Sequence, residues 1–150
     1  ILNLINNARK KIYVQNYSFT SQNIANAPIK AHQRGIKVKI LFDRSQLTAR
    51  HSQIHTMKKA GVRCHVDPVL GIAHNKIMII DNDIVLAGSY NWTNAAETRN
   101  AENLLIIKDQ STVKIYKKNW KKRYQRAKEM NLQNNMTKKL IMHKNQLNQS

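Results

Sequence analysis

Acidic residues are scarce in this chain, and none occurs before Asp43. The 150 residues carry 8 Asp and Glu against 26 Lys and Arg, a formal net charge of +18. A surplus of this size points to a polyanionic partner, either nucleic acid or an anionic membrane surface. Cysteine is nearly absent as well: Cys64 stands alone, which excludes an internal disulfide framework and any multi-cysteine zinc site. Long apolar runs are missing, and none approaches the roughly 18 residues of a membrane span. The chain opens at Ile1 with no initiator Met and no signal-peptide layout, so an upstream segment is expected.

What is present suits a globular fold. A hydrophobic content of 41% is ordinary for a folded domain. A chain of this length is by default a single domain that buries roughly two-thirds of its unfolded surface and needs no staple. Basic residues form two clusters. Arg9, Lys10, Lys11, Lys30, Arg34, Lys37 and Lys39 all precede the first acid. Lys114, Lys117, Lys118, Lys121, Lys122, Arg123, Arg126 and Lys128 follow late in the chain at helical spacing, with Val113, Tyr116, Trp120 and Tyr124 as an apolar counter-face. A run like this on its own is a solvated helix face. With so few acids to interrupt it, a phosphate-facing surface is the better reading. Lys37, Lys39, Arg44, Arg99, Lys117 and Lys121 are the candidate nucleic-acid contacts.

Periodicity divides the chain into alternating elements. Residues 1–10 read as the end of a helix with Leu2, Ile5 and Ala8 inward, and residues 12–17 as a strand. Ser21 is a plausible N-cap for a helix ending at Gly35, and Pro28 predicts a kink or a later start. Residues 36–42 form a nearly continuous apolar strand. A helical pattern over about 50–60 stops at Gly61, and strands follow at 62–66, 76–80, 84–87 and 103–107. The basic helix covers about 111–128. This order predicts an α/β sandwich with a mixed sheet flanked by helices. Residues 1–130 form the domain, and the Asn-, Gln- and Lys-rich residues 131–150 read as a loosely ordered tail.

Chemistry concentrates in His74-Asn75-Lys76-Ile77-Met78-Ile79-Ile80-Asp81 and Gly88-Ser89-Tyr90-Asn91. Strand alternation puts His74 and Lys76 on one face. If Asn82 and Asp83 are the positive-φ pair of a tight hairpin, Ile80 lies near Val85, Lys76 opposite Ser89 and His74 opposite Asn91. That register gathers His, Lys, Ser and Asn around one small ligand, and a slip of one residue breaks it. A neutral imidazole is a nucleophile near pH 7, while Lys76 and the Asn91 amide can hold non-bridging phosphate oxygens as charge develops. Asp81 has the opposite parity and is expected to pin the hairpin. A His beside a Lys in a strand is otherwise commonplace.

With these spacings, His74-x-Lys76-x4-Asp81 and Gly88-Ser89-x-Asn91 resemble the signature of the phospholipase D superfamily. The similarity is greatest to its small single-motif bacterial endonucleases of the Nuc type. Tyr17-Ser18-Phe19-Thr20, residues 34–39 and residues 91–103 are similar in the same order, so the resemblance runs from about residue 1 to 127. The ends depart from it: such enzymes carry a further N-terminal strand after a signal or anchor, and the tail after Glu129 has no counterpart. The resemblance implies a phospholipase D-like fold with His74 attacking phosphorus to form a phosphohistidine. Lys76 and Asn91 would bind phosphate, Ser89 would assist, and Glu102 would hold the other imidazole nitrogen, with Glu97 a weaker candidate. Asp81 and Gly88 are the motif's structural members. In-line displacement also needs a proton donor for the leaving oxygen. A single motif per chain therefore implies a homodimer sharing one active site, as in the family.

The expected function is metal-independent endonucleolytic hydrolysis of single- and double-stranded DNA with little sequence preference, RNA remaining open. The alternative is a phospholipase D-type phosphodiesterase acting on an anionic lipid such as cardiolipin. No cofactor or metal is implied, and the family resemblance implies a periplasmic, secreted or envelope-associated location. His51 and His55 are spaced i, i+4, but Ser52 sits where a zincin needs Glu. His32, His65 and His143 read as ordinary polar residues and Cys64 as a buried small hydrophobe. Tyr17, Tyr90 and Trp92 could stack on bases, with core packing the safer reading.

Overall fold

Ile12, Tyr13 and Val14 supply the β-branched and aromatic side chains that pack on a pleated surface, and they form the first strand, β1 (Lys11–Asn16), after a short helix, α1 (Leu2–Asn6). In the computed structural model, which describes residues 1–147, the chain continues through α2 (Gln22–Gln33), β2 (Lys37–Phe42), a 3₁₀ turn (Arg44–Leu47), α3 (Ile54–Lys59) and β3 (Arg63–Val66). It ends with β4 (Lys76–Ile80), β5 (Ile84–Gly88), α4 (Asn94–Thr98), β6 (Leu104–Ile107) and α5 (Gln110–Leu147). The six strands make one mixed sheet in the order β3-β2-β1-β4-β5-β6. β1 to β3 are parallel, while β4 runs antiparallel to β1 and continues as a meander through β5 and β6.

Each face of the sheet is covered. Ile12, Val14, Val38, Ile40, Phe42, Met78, Ile80 and Leu86 pack beneath α1, α2 and α3. Tyr13, Leu41, Ile77, Ile79 and Val85 pack beneath α5, which contributes Val113, Trp120, Tyr124 and Ala127. Trp120 anchors α5: its ring stacks on Tyr13 at 4.3 Å and its indole N–H donates to the Val14 carbonyl at 2.9 Å. The apolar counter-face of the basic helix is thus its docking face, with Tyr116 half-buried at its margin. A bidentate ion pair from Arg123 to the buried Asp67 (2.8 and 2.9 Å), with Gln15 donating to the same carboxylate at 2.6 Å, clamps α5 to the sheet.

Several expectations change in detail. Leu2 faces solvent while Ile5 and Ala8 are buried. Ser21 caps α2 by accepting from the Ile24 N–H, and Pro28 sits inside the helix without delaying its start. The helical pattern at 50–60 shrinks to Ile54–Lys59, and α4, capped by Thr93, was not anticipated. The expected loosely ordered tail is instead a continuation of α5 to Leu147, because no Pro or Gly interrupts the chain after residue 110. Residues 148–150 of that tail lie outside the described residues.

Candidate active site at the end of β1

The β4–β5 hairpin differs from its expected register by one residue. The positive-φ residues are Asp81 (55°) and Asn82 (71°), not Asn82 and Asp83, and the Asp83 N–H closes the turn on the Ile80 carbonyl at 3.0 Å. Ile80 therefore pairs with Ile84 rather than Val85, and the ladder Ile77–Ala87 carries Lys76 toward Gly88 instead of Ser89. Ladder pairing alone thus does not bring Ser89 and Asn91 to the motif face. Ser89 is recruited by the strand end: its N–H donates to the Asn103 carbonyl, and its Oγ accepts from the Asn103 N–H at 3.0 Å and donates to Glu102. Gly88 permits this close approach, since a Cβ there would lie 2.0 Å from the Asn103 carbonyl oxygen.

Asp81 ties the turn to the beginning of β1. Its carboxylate accepts from the backbone N–H groups of Arg9, Lys10 and Lys11 at 2.7, 2.7 and 2.9 Å. Burial pushes its pKa up, but the amides of Lys11, Arg9 and Lys10 outweigh that and hold the carboxyl below its ordinary value.

The other end of the hairpin holds the candidate residues His74 and Lys76. Lys76 pairs with Asn16 across the sheet, on the face that leads to His74. The Lys76 ammonium contacts His74 Nδ1 at 3.1 Å and donates to the His74 carbonyl at 2.7 Å. Partial burial lowers the Lys76 pKa, and the charge of Glu102 partly opposes the shift. The Glu102 carboxyl is held below its ordinary value by the Ser89 hydroxyl and then by Asn100, which donates to its second oxygen at 3.0 Å. Within one chain, His74 Nδ1 faces Lys76, whereas Glu102 is engaged by Ser89 and Asn100; the expected His74–Glu102 contact is not formed. Asn91 sits half-buried near the strand end, its side-chain oxygen buried without a partner.

Two contributors escaped the sequence reading. Asp43, almost fully buried at the end of β2, accepts from the Ala73 N–H at 2.7 Å and the Ser45 N–H at 2.9 Å. It thereby fixes the segment that enters His74. An acid closing an apolar strand, the first in the chain, was the available signal. Tyr17, favoured as core, instead has its ring 4.8 Å from the His74 ring and 5.5 Å from the Lys76 ammonium. Trp92 is core, packed edge-on against Phe19, and Tyr90 donates to Glu97 at 2.5 Å.

The basic candidates fall in different places. Arg44 lies at the His74 end of the sheet, where its guanidinium donates to the Val69 carbonyl at 2.7 Å, and Arg99 closes α4. Lys37, Lys117 and Lys121 gather with Lys11, whose pKa falls through burial and then their repulsion. That cluster stands at the opening of β1, about 16 Å along the strand from Asn16 at about 3.3 Å per residue. Lys37, Lys117 and Lys121 are therefore remote from His74. Lys39 lies on the α5 face of the sheet. His55 meets the Leu47 carbonyl at 3.0 Å, and among the described residues no three His, Cys, Asp or Glu side chains converge. Cys64 is buried, which raises its pKa to about 12.

A family model described as "Cardiolipin synthase, PLD-like domain" matches residues 1–124. The chain belongs to this phospholipase D-like family. A protein named "Phospholipase D" from Rickettsia conorii is 46% identical over 120 residues, covering 80% of this chain and 60% of that protein. A "Mitochondrial cardiolipin hydrolase" from Xenopus tropicalis is 33% identical over 125 residues, covering 83% of this chain and 60% of that protein. The chain therefore spans about 60% of the length of these curated relatives. Among solved structures, the phospholipase D family member Nuc from Salmonella typhimurium superimposes with a TM-score of 0.76 at 35% identity, covering 83% of this chain and 84% of that one. NucT from Helicobacter pylori gives the same TM-score at 30% identity, covering 83% of this chain and 84% of that one. The phospholipase D-like fold is thus the fold of this chain: a mixed sheet between helical layers, with the motif at one end.

Proposed function

We propose that this phospholipase D-like chain hydrolyses phosphodiester bonds of DNA, as a homodimer and without a metal. The observation that carries the reading is the His74–Lys76 pair at the end of β1, beside the Ser89–Glu102 cluster. In the first step an imidazole nitrogen of His74 bonds to phosphorus while the P–O bond to the leaving sugar breaks. In the second, water displaces the imidazole and restores it. Lys76, with Asn91 and Ser89, stabilises the charge on the non-bridging oxygens, the electrostatic role a cation would otherwise fill. For Asn91 the unpartnered buried oxygen is a reason to expect rearrangement when substrate enters.

The leaving oxygen needs a proton, and this chain carries one such motif. A second copy of His74, from a two-fold related chain, supplies it in this reading. Glu102 then orients an imidazole only after assembly or substrate binding shifts it from its contacts with Ser89 and Asn100. A periplasmic or secreted location belongs to the same proposal, and fractionation of the full-length protein tests it.

The second reading, an anionic phospholipid such as cardiolipin as substrate, is favoured by the names of the curated relatives. Incubating the protein and His74→Ala with plasmid, single-stranded DNA, RNA and cardiolipin vesicles in excess EDTA separates the two. Cleavage of DNA that survives EDTA and disappears in the variant supports the first reading. Cleavage of lipid alone supports the second. Light scattering tests the dimer, and a fully active monomer contradicts it.

A further inference from the structure

A second charged feature lies on the other face of the sheet. Between β2, β3 and α5 there is a cleft of about 610 Å³, and Lys39, Lys58, Arg63, His65, Lys128 and Lys138 line it with no carboxylate among its described lining residues. Lys39 projects beneath α5, whereas Lys76 and His74 belong to the opposite face, and the cleft shares no residue with the candidate active site. Its cations are partly anchored. The Lys39 ammonium sits 4.6 Å from the Tyr124 ring centre and the Lys58 ammonium 5.3 Å from that of Phe42. Asn131 contacts His65 at 2.6 Å, which holds the part of α5 beyond the helix expected from sequence against β3. Burial and then the neighbouring cations depress the pKa of both Lys39 and His65, so the folded chain holds together charges that repel one another.

We propose that this cleft is a second nucleic-acid site, gripping the phosphate backbone of a strand at a distance from His74. The four lysines and Arg63 suit successive phosphates, and the amides of Asn134 and Asn135 add neutral donors for phosphate or sugar oxygens. The recess fits a strand better than a planar headgroup surface. A membrane-docking face needs exposed apolar side chains between its cations, and among the described lining residues Leu132 is the only aliphatic one. The site extends the proposed function without depending on it, because it concerns binding alone.

The test uses Arg63→Gln/Lys138→Gln in a His74→Ala background, so that DNA stays intact during measurement. The variant is titrated with a fluorescent DNA duplex across a salt series and is melted in parallel. Affinity should fall about tenfold near 0.1 M salt, and the slope of log K against log salt should shrink by roughly 2. The melting temperature should hold or rise, because like charges have been removed. Unchanged affinity and slope overturn the proposal. If affinity and melting temperature fall together, Lys58→Gln/Lys128→Gln decides: normal melting with normal DNA binding overturns it, and normal melting with weakened binding sustains it. Weakened binding to anionic vesicles with DNA affinity intact also overturns it, in favour of a membrane. DNA held by this cleft but never cut by the wild type sinks the nuclease reading and leaves this site standing.

Discussion

Replacing Asp81 by Asn separates the hydrogen bonds of the hairpin turn from its backbone shape. Asn tolerates the positive φ that Asp81 adopts, so the turn itself is not strained by the change. The three amides that converge on the carboxylate are affected. One Asp81 oxygen receives Lys10 and Lys11 and the other receives Arg9. An Asn can offer an oxygen to only one side, so its NH₂ must face at least one backbone N–H. One charge-assisted bond lost is worth about 1.5–3 kcal/mol, and the others weaken when the charge goes. Discounting for the half-exposed position gives a loss of roughly 2–4 kcal/mol, or about 5–12 °C in melting temperature for a chain this long. The pH dependence supplies an internal control. Because the folded pKa of Asp81 is depressed, its contribution is full above the unfolded value of about 3.9 and disappears as pH falls through the folded value. Thermal melts followed by circular dichroism should show the full gap between Asp81→Asn and wild type at pH 7 and a gap that closes as pH falls below about 3.9. A gap under about 1 kcal/mol at pH 7, or one that persists undiminished in acid, refutes the reasoning.

Other perturbations read the remaining joints. Gly88→Ala places a Cβ 2.0 Å from the Asn103 carbonyl, so β5 and β6 must part. A loss above about 3 kcal/mol in urea titration is expected, and a variant as stable as wild type would show that the strand ends adapt. Arg123→Met strips the buried Asp67 of its bidentate partner and leaves it only Gln15. About 3 kcal/mol should be lost, and adding Asp67→Asn should restore part of it; no recovery would mean that the charge was not the cause. For Lys76, burial moves its pKa below the ordinary 10.5, so activity that needs the ammonium should fall with rising pH earlier than a free lysine would dictate. In Lys76→Arg any residual activity should lose that alkaline limb, and a limb that stays belongs to another group.

The motif's parity, the Ser21 cap and the docking face around Trp120 were legible because each depends on local spacing. The register was not. A two-residue loop and a three-residue loop both satisfy the chain between Ile80 and Ile84, and the three-residue loop is the one in which Asp81 meets the amides at the start of β1. Glu102 illustrates a second limit: its position followed from the family pattern, but its partners Ser89 and Asn100 depend on how the chain bends after Gly88. The basic residues were identified as a class, yet their division between the opening of β1 and the cleft under α5 is set by the sheet's two faces. The continuation of α5 was missed because residues 131–147 lack a sustained apolar face, and the absence of helix breakers was the better guide.

The most direct test of the account is to quench a reaction of the protein with ³²P-labelled DNA in excess EDTA and look for a covalent adduct. An acid-labile, alkali-stable phosphoryl–protein bond mapping to His74, absent in His74→Ala, is the predicted result. Efficient DNA cleavage by His74→Ala, or cleavage that stops on adding EDTA, would contradict it.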